Sequence, residues 1–161
     1  MKKLLHLLHE DARLTNAQLA VMLNTSEEAV ANAIAEYEEA GIIRGYKAIV
    51  NWEKVDSSPN KVTALIELKV TPKRETGFDT IAHRIMEFKE VESVYLMSGG
   101  FDLAVMVHGS SMQEIAMFVA KRLSTLETVL STSTHFVLSR YKEGDVVLNS
   151  EIPDDRREYG E

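Results

Sequence analysis

A run of five residues, Ser98-Gly99-Gly100-Phe101-Asp102, has the composition of a loop that holds a small ligand. Consecutive glycines let backbone amides approach a small anion closely, and the Asp102 carboxylate is able to balance an ammonium group. A zwitterion therefore fits this run better than a simple acid. The alternative is a plain tight turn in which Asp102 accepts hydrogen bonds from backbone amides.

Other chemistry-bearing residues are sparse. The chain has no cysteine, which excludes disulfides, thiolate metal ligands and cysteine nucleophiles and fits a reducing compartment. His6 and His9 lie one helical turn apart, but a zinc site needs a third protein ligand. For His108 and His135, on predicted strands, we expect packing between subunits. We find no nucleophile with a base, so we predict no enzymatic activity, no metal and no cofactor.

Residues 15–43 carry the pattern of two short helices joined by a tight turn. Residues 15–18, Thr-Asn-Ala-Gln, form a capping box that starts one helix, and residues 25–28 offer a second cap. Asn24 between them tolerates a left-handed turn, and Gly41 is placed to end the second helix. Apolar residues recur at helical spacing: Leu19, Met22, Leu23, Val30, Ala33, Ile34 and Tyr37. With a first helix over residues 3–9, this predicts a helix-turn-helix.

The overall composition is that of a folded globular protein. The 161 residues are 45% hydrophobic and 27% charged, and no apolar run approaches the roughly 18 residues of a membrane span. We therefore expect a cytoplasmic protein. The net charge of -7 opposes a simple nucleic-acid interpretation, because Lys and Arg supply most DNA affinity.

The second half of the chain predicts a small sheet with two helices. Apolar and polar residues alternate over residues 62–70, a helix follows around residues 78–85, and strands are predicted at 91–97 and 101–108. A helix at 115–126, capped near Ser111, and a strand at 132–141 complete the order. This βαββαβ order is that of the ferredoxin-like fold, so the fold class is α+β.

We predict four segments: a helix-turn-helix domain with a tether strand (1–56), a linker (57–61), a ferredoxin-like domain (62–142) and a polar arm (143–161). One phase of the predicted strands carries Leu65, Val94, Leu96, Met106 and either Phe136 or Val137. Whichever phase faces the helices, the other face of the sheet is therefore predicted to keep several large apolar groups. Such a face predicts burial against a second copy about a two-fold axis.

Several of these segments resemble the Lrp/AsnC family, the feast/famine regulators. The resemblance covers roughly residues 2–142 and rests on Ala12-Arg13-Leu14-Thr15, Leu19-Ala20, Ser26, Val30, Glu38, Ala40-Gly41-Ile42-Ile43-Arg44-Gly45-Tyr46 and the Ser98 to Asp102 run. It implies a winged helix-turn-helix, a ferredoxin-like ligand-binding domain, amino-acid effectors, and dimers that assemble into octamers.

The resemblance also implies roles for individual residues. In the family the loop after the second strand of the sensing domain holds the effector between dimers, which assigns Ser98, Gly99, Gly100, Phe101 and Asp102 to the effector site. Thr132 and Thr134 on the last strand are further candidates. The usual motif reads Gly-Asp-Tyr-Asp, whereas here Gly100 takes the first acidic position and Phe101 the aromatic one.

The second helix of the helix-turn-helix departs from the family as well. The arginine common in its middle is replaced around Asn32 and Ala33, although Asn is able to read adenine. Candidate contacts to double-stranded DNA are Thr15, Thr25, Ser26, Glu28 and Asn32 in the helix-turn-helix, with Lys2, Lys3, Arg13, Arg44, Lys47 and Lys54 dispersed outside its second helix for phosphates.

Three functions follow from these features. The favoured one is an oligomeric transcriptional regulator of amino-acid or related metabolism, gated by an amino-acid-like effector. A second is a sensor or adaptor whose acidic helix-turn-helix binds protein instead of DNA. The third is a siroheme-decarboxylase-like enzyme, which ranks last because the sequence lacks the basic cluster that such enzymes use.

Overall fold

The computed structural model describes residues 2–55, 61–72, 74–75 and 77–149. The chain divides into two compact units, one ending at Ala48 and one beginning at Ile49. The first is called the headpiece and the second the sheet unit. The predicted first domain of residues 1–56 is therefore longer than the headpiece, and residues 49–55 belong with the sheet unit. Most of the predicted linker, residues 57–60, lies outside the described residues.

Three helices form the headpiece: α1 (Lys2–Glu10), α2 (Asn16–Leu23) and α3 (Glu27–Glu39). The predicted capping box is present, since Thr15 Oγ1 accepts from the Gln18 amide at 3.2 Å and Gln18 Oε1 accepts from the Thr15 amide at 2.8 Å. Asn24 adopts the left-handed conformation between α2 and α3, with φ 52° and ψ 53°. Short polar side chains thus set both ends of α2.

One side of each helix faces a common core. The buried side chains are Leu4, Leu8, Leu19, Ala20, Val30 and Ala33. Burying a residue such as leucine or valine contributes about 1.5–3 kcal/mol, so these side chains stabilise the packing of the three helices. The prediction of a tether strand is wrong. Residues 44–51 of this chain form neither helix nor strand. A strand needs a partner for its backbone groups, and no described strand pairs with this segment.

The sheet unit has the predicted order and the ferredoxin-like topology. Its strands are β1 (Val62–Val70), β2 (Val91–Leu96), β3 (Leu103–Gly109) and β4 (Val129–Phe136), arranged as an antiparallel sheet in the order β2-β3-β1-β4. Helix α4 spans Asp79–Met86, and α5 spans Met112–Phe118 and continues into a π-helical turn at Val119–Leu123. Buried residues of both helices and of β1 and β3 form one core.

The last strand lies earlier than predicted. It begins at Val129, which pairs with Val70, and ends at Phe136 instead of Tyr141. The Val137 amide still donates to the Thr63 carbonyl at 2.9 Å, but β1 begins at Val62. Beyond residue 138 there is therefore no strand left for the chain to pair with.

The first residues of the predicted polar arm form a β-hairpin. Strands β5 (Lys142–Glu143) and β6 (Val146–Val147) form a hairpin whose turn residues, Gly144 and Asp145, have φ of 51° and 65°. A two-residue turn with both φ positive matches the twist of paired strands, so the polar turn residues produce a hairpin. Residues 150–161 of the predicted arm lie outside the described residues.

The apolar residues predicted to share one phase of the strands lie on both faces of the sheet, of which the face without helices is called the outer face. Val94, Leu96 and Phe136 pair with Val105, Leu103 and Ala64 and therefore share the helix-covered side. The outer face carries Thr63, Leu65, Glu67, Lys69, Ser93, Tyr95, Ala104, Met106, His108, Ser131, Ser133, His135 and Val137. The pairing register decides which phase of each strand points outward, and an irregularity between Val91 and Ser93 shifts β2.

The two histidines of this face are separated by β1. His108 lies opposite Thr63, and His135 lies opposite Leu65 with its Nε2 atom 3.4 Å from Glu67 Oε1. Their predicted packing between subunits remains a prediction. Among the residues that the structure describes, no helix is long and apolar enough to cross a membrane.

Replacing the cap residue of α2 tests the headpiece. We expect Thr15→Ala to lower the free energy of unfolding by about 1 kcal/mol, because the Gln18 amide loses its acceptor. Urea unfolding followed by circular dichroism measures the change. Thr25→Ala, at an exposed turn position, is the matched control and should stay within about 0.5 kcal/mol of the parent. Equal losses in the two variants would contradict the capping assignment.

Candidate functional site

The predicted effector loop is tied to the central strand by Asp102. The Asp102 amide donates to the Leu68 carbonyl at 2.9 Å, and Asp102 Oδ2 accepts from the Val70 amide at 2.8 Å. The Asp102 carbonyl also accepts from the Met97 amide at 2.8 Å, which closes the loop. These hydrogen bonds are the ones expected if the run is a plain tight turn. One oxygen of the Asp102 carboxylate is therefore already bonded to the Val70 amide. The same bonds hold the loop in one place on the sheet.

The tip of that loop is open. Ser98, Gly99 and Gly100 are exposed, and a Cβ atom built on either glycine meets no heavy atom within 4 Å. Gly99 has φ +153°, a conformation that other residues rarely adopt. Phe101 is half-buried. The loop therefore combines a base that is held by hydrogen bonds with a tip whose backbone is exposed to solvent.

Thr132 and Thr134 do not join this loop within one chain. They pair with Leu68 and Ile66 on the side of β1 away from β3. Leu68 also pairs with Leu103, so two strand spacings, about 10 Å, separate Thr132 from the start of β3. Both threonines are half-buried and lie on the helix-covered side of the sheet. The structure thus brings the five loop residues together and leaves the two threonines apart.

Helix α3 presents one line of residues outward. Val30 and Ala33 are buried against the headpiece core, and the opposite side carries the exposed residues Glu28, Asn32, Ala35 and Glu39. We call these four residues the α3 stripe. Glu28 and Asn32 are predicted DNA contacts, and helical spacing from these two residues also places Ala35 and Glu39 on the same line. No described residue on the stripe is basic.

Two of the predicted DNA contacts serve as helix caps. Thr15 Oγ1 takes part in the capping box, and Ser26 Oγ accepts from the Ala29 amide at 3.1 Å. All the candidate DNA contacts predicted within the headpiece are exposed, so the surface is accessible to a duplex. The basic ones lie at the start of α1, between α1 and α2, and after α3: Lys2, Lys3, Arg13, Arg44 and Lys47.

The segment after α3 is fastened to that helix by a polar contact. The Tyr46 hydroxyl donates to Glu38 Oε1 at 2.9 Å. Lost hydration, and then the neighbouring Glu38 carboxylate, raise the pKa of Tyr46. The hydroxyl therefore stays protonated and remains a donor at neutral pH. This bond holds the chain near Arg44 and Lys47 against the end of α3.

The sheet unit also contains an open cavity of about 740 Å³ that sequence analysis missed. Trp52, Met112, Leu138 and Arg140 contribute to its wall, and the Arg140 guanidinium donates to Thr63 Oγ1 at 2.7 Å. These residues are far apart in sequence and share no motif, so no sequence signal marks them. Among the described residues no cluster of three or more His, Asp or Glu is placed to hold a metal ion.

Comparison with known proteins identifies both halves of the chain. The winged helix-turn-helix DNA-binding family matches residues 1–44, and the Lrp/AsnC ligand binding domain family matches residues 63–147. The chain is 44% identical over 154 residues to the uncharacterized HTH-type transcriptional regulator YugG of Bacillus subtilis, covering 96% of this chain and 92% of that relative.

Solved structures agree with this match. A transcriptional regulator from Neisseria meningitidis, solved as a complex with L-Met, has a TM-score of 0.65 at 25% identity and covers 88% of this chain and 89% of its own. AsnC of E. coli has the same fold, with a TM-score of 0.66 at 21% identity over 87% of this chain and 91% of its own. The chain therefore belongs to the Lrp/AsnC family of transcriptional regulators.

Proposed function

We propose that this protein binds double-stranded DNA through its headpiece, binds an amino acid at the Ser98 to Asp102 loop, and acts as a homodimer able to assemble into an octamer. The observation that carries the proposal is the presence, in one chain, of an exposed α3 stripe and a glycine loop that is anchored at its base and open at its tip.

The DNA-binding part of this proposal must accommodate an acidic headpiece. Up to Ala48 the sequence has five Lys or Arg residues and seven Asp or Glu residues. Five of those acids lie on α3, while every basic residue lies outside it. Cations beside the helix suit phosphate contacts, and several headpieces in one oligomer add their weak affinities through avidity.

Salt dependence tests DNA binding. We expect the protein to bind a duplex carrying the promoter region of its own gene, with log affinity falling against log salt by about 0.9 per phosphate neutralised. Fluorescence anisotropy over a salt series measures this slope, and Arg13→Ala should make it shallower by about 1 for each headpiece engaged. The control is Lys121→Ala, an exposed cation of the sheet unit, which should leave the slope unchanged. Binding that is undetectable at low salt would favour the protein-binding adaptor.

The effector part rests on the geometry of the loop and on a relative. The regulator from Neisseria meningitidis is a complex with L-Met, which supports an amino acid as the ligand class. Backbone amides at the glycine tip would face the ligand carboxylate, and the Asp102 charge would face its ammonium group. Because Asp102 also holds Val70, charge and hydrogen bonding at this residue must be separated by experiment.

Two substitutions of Asp102 make that separation. Each standard amino acid is tested for its effect on thermal unfolding, and a ligand at a hundred times its Kd should stabilise the protein by about 2.7 kcal/mol. Asp102→Asn keeps an acceptor for the Val70 amide and should abolish this stabilisation with little loss of basal stability. Asp102→Ala leaves the Val70 amide without its acceptor and should also lower the basal stability by about 1–3 kcal/mol. An undiminished ligand shift in Asp102→Asn would refute a role for the charge.

The dimer is proposed to form on the outer face of the sheet. Leu65, Ala104, Met106 and Tyr95 make an apolar centre there, and polar contacts such as His135 with Glu67 lie beside it. An apolar centre with a polar rim is the usual anatomy of a protein interface. We therefore infer that a second copy covers this face.

A charge at the centre of that face tests the dimer. We expect Met106→Glu to convert the protein to monomers at micromolar concentration, because an unpaired carboxylate would be buried in the interface. Sedimentation equilibrium gives the mass of the particle. Lys121→Glu, a charge reversal on the helix-covered side, is the control for adding an acid and should not change the dimer. A Met106→Glu variant with the parent mass would exclude this face.

A further inference from the structure

The α3 stripe has an order that points to particular bases. Glu28, Asn32, Ala35 and Glu39 follow one another at steps of four, three and four residues, so they lie along a single line on the outward side of α3. Acid, amide and methyl groups are thus presented in sequence, and no cation stands among them.

Each of the first three groups has a preferred partner in the major groove. Glutamate accepts a hydrogen bond from the cytosine N4 amino group, asparagine pairs with adenine through N6 and N7, and an alanine methyl packs on the thymine methyl. Guanine is most often read by Arg or Lys, and the stripe has neither.

We infer that α3 selects cytosine with Glu28, adenine with Asn32 and thymine with Ala35, and makes no cationic contact to guanine. This inference rests on the proposed binding of DNA by the headpiece. In this assignment the groups that select bases lie on α3. The positive charges that supply affinity lie elsewhere on the headpiece.

The dimensions of the helix fit this assignment. From Glu28 to Ala35 the helix rises seven residues, about 10 Å at 1.5 Å per residue. Base pairs are about 3.4 Å apart, so this length spans about three base pairs. The acids Glu38 and Glu39 lie at the C-terminal end of α3, and Glu36 follows Ala35 but lies off the stripe. Entry of α3 from its N-terminal end as far as Ala35 follows the usual docking of a recognition helix and leaves Glu38 and Glu39 beyond the contacted bases.

Glu28 also has a purely structural explanation, which the controls must address. Glu27 and Glu28 both lie in the first turn of α3, where acids interact favourably with the helix dipole. Only Glu28 lies on the stripe. A helix-stabilising role alone would make Glu27→Ala and Glu28→Ala equivalent, whereas base selection affects only the Glu28 variant.

The first experiment selects bound sequences from a randomised duplex library with the full-length parent and with Asn32→Ala, Glu28→Ala and Glu27→Ala. The parent should enrich a motif with one invariant adenine and one cytosine on the strand being read. Asn32→Ala should lose the preference at the adenine alone, Glu28→Ala at the cytosine alone, and Glu27→Ala should keep the whole motif. Thermal unfolding verifies that each variant is folded.

The second experiment removes single atoms from the selected duplex. Replacing the invariant adenine by 7-deazaadenine deletes the N7 acceptor and should weaken the parent by about fivefold or more while leaving Asn32→Ala unaffected. Replacing the contacted thymine by uracil should weaken binding by a few fold.

The outcomes separate the two levels of the proposal. A motif that Asn32→Ala preserves in full, or one in which an invariant guanine depends on the stripe, overturns the base assignment and leaves DNA binding intact. Failure of the parent to enrich any duplex overturns the proposed function and this assignment with it.

Discussion

The pairing of β1 with both β3 and β4 is the constraint on which the sheet unit depends. Leu68 shows this best, because it pairs with Leu103 on one side and Thr132 on the other while its carbonyl accepts from the Asp102 amide. One strand therefore sets the register of the sheet, the base of the glycine loop and the residues that reach the outer face. A one-residue slip of β1 would exchange its buried and outward side chains.

Asp102 anchors the loop that we propose as the effector site. Its carboxylate satisfies the Val70 amide, and its amide and carbonyl close the loop onto β1 and β2. Because the base is held by three hydrogen bonds, the glycine tip has little freedom to move as a whole. Fixed backbone geometry of this kind lowers the entropic cost of binding a small ligand, which supports the effector role that we propose for this loop.

The headpiece combines an acidic charge with a fixed position of α3. Its charge is unfavourable for DNA, yet its caps and small core hold α3 with one side buried and the other exposed. The acids of α3 and the cations of the headpiece occupy different segments of the chain. The Tyr46 contact with Glu38 holds the segment containing Arg44 and Lys47 beside the helix. The proposed DNA binding therefore relies on cations that lie outside α3 and not on the net charge of the headpiece.

Local chemistry by itself determined much of this protein. The capping box at Thr15, the left-handed Asn24 and the alternation of β1 were readable because each depends on neighbours within a few residues. Only tertiary structure decided that Val94, Leu96 and Phe136 share the phase of the helix-covered side, that the last strand ends at Phe136, and that the Asp102 carboxylate accepts from the Val70 amide. Those outcomes depend on which strands pair and in which register, and pairing joins residues that are distant in sequence and carry no local sign of one another.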